Sequence, residues 1–401
     1  MHVHIARQPI FTANKQVFAY ELLFRQTMGL QLGELSGDRA TGSLLSATFL
    51  TEGIEQISGN KPCFINFTQN LLELDIARSF PQNMIVVEIL EDVLPTAEVI
   101  EACRCLSELG YRLALDDFVF REDLLPLIER VDILKLDYRL STTSEIEAIF
   151  ARFQGTKLEY LAEKIETYEE FEHARQLGFH YFQGYFFSKP QAIRINDVTS
   201  VATNLLQLLS EVNKPDTTVR KLEQIVATDL AISYKLLRYI NSSAFYLLRE
   251  VDSIRQAITY LGEKEIRRFV TLVIVAEMAV DKPTELVRLS LIRARFCELL
   301  AGAGTVKVDG AKLFLLGLFS MIDAVLDSTM ANLMEKLPLA EEIKQALLDG
   351  SGPLPPFLRV VTAYEQGNDQ DCLETVAQLG INPGILYEMY LEAIKFSSII
   401  D

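Results

Sequence analysis

The sequence predicts an α/β domain followed by an all-α domain, with a (β/α)8-type barrel in the first half of the chain. In the first 190 residues, β-rich runs alternate with helical stretches at intervals of roughly 20–30 residues, which is the pattern of a parallel sheet. After Pro190 the strand signals stop and helical periodicity continues. Each β-rich run also carries a polar residue near its C-terminal end, and these ends meet on one face of such a barrel.

Seven runs of the first half are predicted to be strands, and we expect one further strand to be weakly signalled or missed. Helical stretches such as TAEVIEACRCLSELG and ETYEEFEHARQLG lie between the runs, and Gly178 is a good C-cap for the second of these helices. We place the barrel over residues 1–195 and the helical domain over residues 196–401. The seven runs are VFAYELLFR, CFINFT, MIVVEILE, YRLALDDF, ILKLDY, YLAEKIET and YFQGYFFSKP.

Composition excludes several classes of protein. Apolar residues make up 49% of the 401 residues and charged residues 23%, which is ordinary globular usage. The net charge of −17 argues against a nucleic-acid polymer as partner, because such partners need a basic surface. No apolar stretch reaches the ~20 residues of a membrane-spanning helix, and the first residues do not have the pattern of a signal peptide. Five cysteines without zinc-site spacing are typical of a reducing compartment, so we expect a cytoplasmic protein that makes no membrane contact.

Carboxylates dominate the predicted strand ends. Collected in one cup, five carboxylates repel one another unless positive charge neutralises them. Mg²⁺ and Mn²⁺ prefer oxygen ligands, and two such ions ~3.5–4 Å apart would clamp an in-line displacement at a phosphodiester, with a lysine to orient the attacking water. A single residue of this kind is more often a helix cap or turn residue, but the repeated feature favours a metal site. The residues are Glu21, Asn66, Glu88, Asp116 with Asp117, Lys135, Glu163 and Gln183.

Short motifs of the first half resemble, in order, those of the EAL domain, the cyclic di-GMP phosphodiesterase family. The resemblance covers nearly all of residues 5–190 and implies a (β/α)8-type barrel with a site for cyclic di-GMP. The motifs are QPI at Gln8–Ile10, YELLFR at Tyr20–Arg25, FINFT at Phe64–Thr68, VEILE at Val87–Glu91, ALDDF at Ala114–Phe118, LKLD at Leu134–Asp137, AEKIET at Ala162–Thr167 and QGYFFSKP at Gln183–Pro190.

The resemblance also implies roles for individual residues. Lys135 and Glu163 match residues near the attacking water, and Glu163 matches the general base. Gln8 and Arg25 match ligand contacts, Arg25 being suited to a phosphate, and Gln183 matches a residue that lines the site. Mg²⁺ or Mn²⁺ is the implied cofactor, and cyclic di-GMP the implied ligand or substrate. The implied metal ligands are Glu21, Asn66, Glu88, Asp116 and Asp117.

Two stretches depart from the EAL pattern. The signature Glu-Ala-Leu reads Glu21-Leu22-Leu23, and Val119-Phe120-Arg121 replaces the Gly-Thr-Gly that follows the paired aspartates. In active members that loop organises the metal site, and a catalytic group misplaced by ~1 Å can lose ~10²-fold in rate. Ligand binding is therefore expected, while hydrolysis by this chain is left open.

The helical half resembles the HDOD domain, a helical output module of bacterial signalling proteins. The resemblance rests on DLAISYKLLRYINSSAFYLL followed by SIRQAITYLG and covers about residues 197–400. The four histidines of the chain all lie in the first half, and GLFSM at Gly317–Met321 stands where His-Asp phosphohydrolases read Gly-Leu-Leu-His-Asp. Without imidazole a His-Asp metal centre cannot form there, so we expect a non-catalytic, partner-binding domain.

Three functions remain open from the sequence. The first, which we favour, is a sensor whose barrel binds cyclic di-GMP, or a regulatory scaffold whose barrel has lost this ligand, with a helical domain that engages an unknown protein partner. The second is an active, metal-dependent phosphodiesterase that opens cyclic di-GMP to linear pGpG. The third is a protein–protein adaptor that binds no nucleotide. A homodimer is also left open.

Overall fold

The computed structural model forms two compact units. One unit comprises residues 1–189, 302–307 and 359–395, and the other comprises residues 190–301, 308–358 and 396–401. This division places residues 359–395 with the barrel, whereas the sequence predicts one continuous helical domain over 196–401; the boundary near 195 stays a prediction. The residues described are 4–25, 54–189, 208–209, 211–212, 217–228, 236, 240, 251, 254–279, 282–337 and 339–398.

Eight strands close into a barrel, which confirms the predicted fold class of the first half. The strands from β2 to β8 are parallel and adjacent in chain order, whereas β1 runs antiparallel to both of its neighbours, β2 and β8. The carboxyl ends of β2 to β8 therefore meet at one end of the barrel, which we call the mouth. The strands are β1 (His4–Thr12), β2 (Val17–Arg25), β3 (Cys63–Phe67), β4 (Ile85–Ile89), β5 (Arg112–Leu115), β6 (Ile133–Asp137), β7 (Glu159–Glu163) and β8 (Tyr181–Gln183).

The strand missed by the sequence pattern is β1. It contains Pro9, which has no N–H to donate and so weakens the strand signal. The structure accommodates this proline because β8 pairs only with Ile10, Phe11 and Thr12, so that Pro9 lies beyond the β1–β8 ladder. The N-terminal strand thus closes the barrel with its last residues.

The barrel interior contains a layer of buried hydrophobic side chains, one from each strand, which we call the apolar layer. Because side chains alternate along a strand, each member shares its face with the residue two positions away. Phe18 packs against this layer from outside it, with its ring 6.4 Å from that of Phe64. The members are Ile10, Ala19, Phe64, Val86, Ala114, Ile133, Leu161 and Tyr181.

Helices follow the strands of the barrel, as the βα pattern predicts. Thr142 and Thr167 each begin a helix with a capping box, in which side chain and backbone exchange hydrogen bonds with a glutamate three residues later. Gly178, with φ 110°, ends the second of these helices as predicted. The helices are α1 (Ile54–Ser58), α2 (Gln69–Glu73), α3 (Ala97–Glu108), α4 (Leu125–Ile128), α5 (Thr143–Arg152) and α6 (Tyr168–Leu177).

The described part of the chain beyond residue 207 is helical, as predicted. Gly262, with φ 78°, interrupts α8, so the two adjacent helices expected from the sequence are both present. The predicted HDOD motif residues 241–245 lie outside the described residues. The helices are α7 (Val219–Thr228), α8 (Ile254–Met278), α9 (Thr284–Leu300), α10 (Gly310–Phe319), α11 (Ile322–Leu326), α12 (Met330–Lys336), α13 (Glu341–Leu348), α14 (Pro355–Gln366), α15 (Asp369–Leu379) and α16 (Leu386–Ser397).

The segment that replaces a His-Asp motif is part of the helical core. At Gly317 a Cβ atom would lie 2.4 Å from the carbonyl oxygen of Arg293, so glycine lets α9 and α10 approach closely. Phe319 and Met321 are buried, and the Ser320 hydroxyl donates to the carbonyl of Gly317 at 2.7 Å. These contacts are those of packed helices. Among the described residues, no helix has both the length and the apolar character required to cross a membrane.

Candidate functional site

Polar side chains form a second layer inside the barrel, two residues closer to the mouth than the apolar layer. On β2, Glu21 follows Ala19; on β6, Lys135 follows Ile133; on the antiparallel β1, Gln8 precedes Ile10. Because the side-chain period of a strand is two residues, both layers point into the barrel. We call this set the polar layer; the sequence predicted every member as a site residue. Its members are Gln8, Glu21, Asn66, Glu88, Asp116, Lys135, Glu163 and Gln183.

Lys135 lies at the centre of the polar layer and is only 1% exposed. Its ammonium group hydrogen-bonds Glu88 and lies 2.8 Å from Asp116 Oδ1 and 2.9 Å from Glu163 Oε1. Glu21 Oε2 is 3.5 Å from the same nitrogen. One ammonium group thus contacts carboxylates from four other strands or strand ends. The sequence predicted that these residues lie at one end of the barrel, but not that they surround Lys135.

Gln183 links the polar layer across the β1–β8 closure. Its side-chain amide donates to Glu21 Oε2 at 2.6 Å and to Gln8 Oε1 at 3.1 Å. Gly184, the next residue, has φ 145°, and a Cβ there would lie 1.9 Å from the carbonyl oxygen of Ile165. Only glycine fits this approach, and it lets the chain leave β8 directly beside the segment that follows Glu163.

Burial sets the protonation of the polar layer. It raises the pKa of Glu88 well above its ordinary value, against the opposing pull of Lys135. Burial likewise raises the pKa of Glu163 to about 7, which suits a group that exchanges a proton near neutral pH. Burial also opposes the charged form of Asp116, but the charge and hydrogen bond of Lys135 outweigh it and lower that pKa. Burial opposes the charged form of Lys135, but the surrounding carboxylates together outweigh it and raise the pKa of Lys135, so the ammonium stays charged.

The donor atoms of the polar layer suit a hard divalent cation in their chemistry. They are carboxylate and amide oxygens, the ligands that Mg²⁺ and Mn²⁺ prefer. Glu88 Oε2 is buried and accepts no hydrogen bond within the described structure, so this oxygen has capacity for a cation. In the described residues, however, no three His, Cys, Asp or Glu side chains are grouped so that they could hold a metal ion. The Lys135 ammonium lies among the carboxylates instead, and the assignment of metal ligands stays a prediction.

Two predicted site residues lie outside the polar layer. Asp117 directly follows Asp116 with a φ of 37°, and its Oδ1 atom lies 3.6 Å from the ammonium group of Lys164. Arg25 is the last residue of β2, and its side chain lies outside the described part of the structure. Sequence reasoning missed Lys164, because a lysine after a strand gives no sign of a left-handed backbone or of an ion pair.

The loop that departs from the EAL pattern has contacts of its own. The backbone N–H of Phe118 donates to the carbonyl of Lys135 at 2.8 Å, and the Phe118 side chain is buried. The guanidinium carbon of Arg152 lies 3.9 Å from the centroid of the Phe120 ring, whereas Val119 is exposed. Phe118, which the EAL motif retains, therefore attaches the loop to β6, and Phe120, one of the replacement residues, attaches it to α5.

Two family models match the chain: the EAL domain over residues 45–190 and the HDOD domain over residues 198–346. The cyclic di-GMP phosphodiesterase CdgJ of Vibrio cholerae serotype O1 is 39% identical over 99% of this chain and 93% of its own length. The uncharacterized protein YuxH of Bacillus subtilis (strain 168) is 38% identical over 99% of this chain and 98% of its own length. The chain belongs to the EAL–HDOD family. The expected family, and with it a signalling role at the level of the family, is confirmed.

Solved EAL structures are also similar to this EAL–HDOD chain. One is the manganese and cyclic di-GMP complex of Klebsiella pneumoniae BlrP1, which is 22% identical with a TM-score of 0.39 and covers 47% of this chain and 55% of its own. Another is an EAL domain protein of Listeria monocytogenes EGD-e, which is 20% identical with a TM-score of 0.38 and covers 46% of this chain and 87% of its own.

Proposed function

We propose that the polar layer at the mouth of the EAL barrel binds cyclic di-GMP together with a divalent cation, and that the HDOD domain engages a protein partner. The observation that carries the proposal is the completeness of the layer: each of the eight strands or strand ends supplies one polar side chain at the same height. A purely structural barrel would fill this position with apolar residues, as it does one layer below. The relative CdgJ is named for the same dinucleotide.

Charge explains why a cation is part of the proposal. The layer carries four carboxylates and one ammonium group, and cyclic di-GMP brings two anionic phosphodiesters. Anionic ligands do not bind an acidic cup unless cations intervene. Glu21, Asn66, Glu88, Asp116 and Asp117 would hold the cation, which supplies positive charge to the phosphates when bound. Gln8, Arg25 and Gln183 would contact or line the dinucleotide.

Hydrolysis is the second candidate function, and one observation favours it. Burial raises the pKa of Glu163 to about 7, and Glu163 Oε1 lies 2.9 Å from Lys135 Nζ. A carboxylate with such a pKa can take the proton of an attacking water while Lys135 orients that water. The water oxygen would bond to phosphorus as one phosphodiester P–O bond breaks and the leaving sugar oxygen takes a proton, which gives linear pGpG.

The test titrates purified protein with cyclic di-GMP by calorimetry, with Mn²⁺ and with EDTA, and follows pGpG by chromatography. Mn²⁺-dependent binding without product supports the sensor, and Mn²⁺-dependent product that Glu163→Gln lowers by about 10²–10⁴-fold supports the phosphodiesterase. Absence of binding under both conditions rejects a nucleotide site and leaves the adaptor. The HDOD partner, a homodimer and a cytoplasmic location remain predictions from the sequence.

A further inference from the structure

Lys164 presents a positive charge at the mouth of the barrel from a backbone conformation that lysine rarely adopts. It directly follows Glu163, the last residue of β7, and its φ is 60°. A non-glycine residue held in this left-handed region is strained, and such strain clusters at functional sites. Glycine or asparagine would fit with less strain, so the backbone alone gives no reason for a lysine.

The ammonium group of Lys164 is held by Asp137, the last residue of β6. Lys164 hydrogen-bonds Asp137 Oδ2, while Oδ1 of the same carboxylate accepts the backbone N–H groups of Arg139 at 2.9 Å and Leu140 at 3.1 Å. Asp137 is buried and bonded at both oxygens, whereas the Lys164 side chain is about half exposed. Asp137 therefore fixes the position of a charge whose other side faces the mouth.

Asp117 is the second carboxylate beside this ammonium group, and it has fewer hydrogen bonds than Asp137. Its Oδ1 atom is buried and accepts no hydrogen bond from the described residues, and at 3.6 Å Lys164 contacts it only as an ion pair. Asp117 also has a positive φ, 37°, and directly follows a member of the polar layer, as Lys164 does. Two strained residues, each one position beyond the polar layer, thus face each other with opposite charges.

We propose that Lys164 competes with a divalent cation for Asp117 and so weakens the binding of that cation at the mouth of the barrel. This inference rests on the proposed function, in which Asp117 is a cation ligand. A cation bound to Asp117 at the usual distance of roughly 2.0–2.6 Å would lie within about 6 Å of the Lys164 ammonium group. Like charges at that range repel, and after solvent screening of this half-exposed pair we expect a weakening of about tenfold in affinity.

The test measures Mn²⁺ binding to the full chain by calorimetry and by the electron paramagnetic resonance signal of free Mn²⁺. Lys164→Asn removes the charge and suits the positive φ, and Lys164→Gly is a second variant with the same properties should the first fold poorly. Lys164→Arg keeps the charge. Lys15→Asn is the matched control, because Lys15 has a φ of 59° but lies in the turn between β1 and β2, at the opposite end of the barrel.

We expect Mn²⁺ to bind Lys164→Asn and Lys164→Gly about tenfold more tightly than it binds the wild type, Lys164→Arg and Lys15→Asn. Mn²⁺ binding that appears only after Lys164 is neutralised also supports the inference. Unchanged stoichiometry and affinity in both neutral variants, with Mn²⁺ bound by the wild type, overturns the inference and leaves the proposed cation site standing. Absence of Mn²⁺ binding from all variants overturns both.

Discussion

The apolar layer and the polar layer of the barrel are built by the same strands and differ by two residues along each of them. Those two residues correspond to about 7 Å along a strand. The lower layer is apolar, from Ile10 to Tyr181, whereas the upper layer buries Lys135 with four carboxylates around it. Burying apolar surface stabilises the fold, while burying charge costs stability unless the charges are paired. The residues that stabilise the barrel by apolar packing and the residues proposed to bind ligand thus lie in adjacent layers. Substitutions can therefore be made in one layer at a time.

The largest expected effect lies in the apolar layer. Phe64→Ala removes a fully buried ring that contacts Phe18, so we expect the free energy of unfolding to fall by about 4 kcal/mol. Urea unfolding followed by circular dichroism measures this loss. Leu140→Ala, at a side chain that is 80% exposed, is the control and should change stability by less than about 0.5 kcal/mol. A loss of under 1 kcal/mol for Phe64→Ala would show that the layer is not a packed core.

Lys135→Met tests whether the polar layer depends on its single ammonium group. Without Lys135 the carboxylates of Glu21, Glu88, Asp116 and Glu163 face one another unneutralised. We expect a loss of about 3 kcal/mol at pH 7 in EDTA, since removal of one partner leaves buried charge without compensation. Mn²⁺ should restore part of that loss, because a cation can replace the missing charge.

Thermal unfolding of Lys135→Met with EDTA and with Mn²⁺ is the measurement. The wild type in the same two buffers is the control and should gain less from Mn²⁺ than the variant. Equal Mn²⁺ effects on both proteins would contradict the idea that ammonium and cation serve the same carboxylates.

Glu88→Gln is expected to increase the stability of the protein, whereas the two preceding variants are expected to lower it. Glu88 is fully buried, and burial raises its pKa well above its ordinary value, so its charged form is unfavourable in the folded state. An uncharged amide of the same shape should stabilise the protein by about 1 kcal/mol at pH 8. At this pH, ionisation of the buried wild-type carboxyl group lowers the stability of the folded state most. Mn²⁺ affinity should fall at the same time.

Urea unfolding at pH 8 together with Mn²⁺ calorimetry measures both effects of Glu88→Gln. A variant that is less stable than the wild type by more than about 1 kcal/mol would mean that the pair formed by Glu88 and Lys135 is a net source of stability.

Seven members of the polar layer could be predicted from the strand pattern, whereas Gln8, on the missed strand β1, was predicted only from the resemblance to the EAL domain. A polar residue after each apolar strand run places that residue at the barrel mouth, and this holds for Glu21 and Gln183, which lie far apart in the chain. The strand β1 was missed since Pro9 weakens the strand pattern, although neighbouring strands close around it. Lys164 was missed because its role depends on a backbone angle and on distances to Asp117 and Asp137, and a sequence pattern contains neither.

Asp137 lies beyond the polar layer on β6 and differs from Glu88 in the direction of its pKa shift. It lies two residues beyond Lys135, as Lys135 lies two residues beyond Ile133, so the three residues share one face of the strand. Asp137 is buried, as Glu88 is, but its pKa moves the other way. Burial opposes its charged form, yet the hydrogen bonds from Lys164 and from two backbone N–H groups outweigh burial and lower the pKa below its ordinary value of 3.8.

Asp137→Asn should also have a small effect on stability, and that effect depends on pH. A carboxyl group with a lowered folded-state pKa contributes stability above its ordinary pKa, and the contribution is lost as pH falls through the folded-state value. We therefore expect Asp137→Asn to be less stable than the wild type by about 1 kcal/mol at pH 7, with the difference shrinking below about pH 4. Urea unfolding of both proteins between pH 3 and pH 7 measures the difference. A gap that stays constant across this range would assign the loss to altered hydrogen-bond geometry, because a loss that arises from the charge of Asp137 must shrink as this carboxyl group becomes protonated.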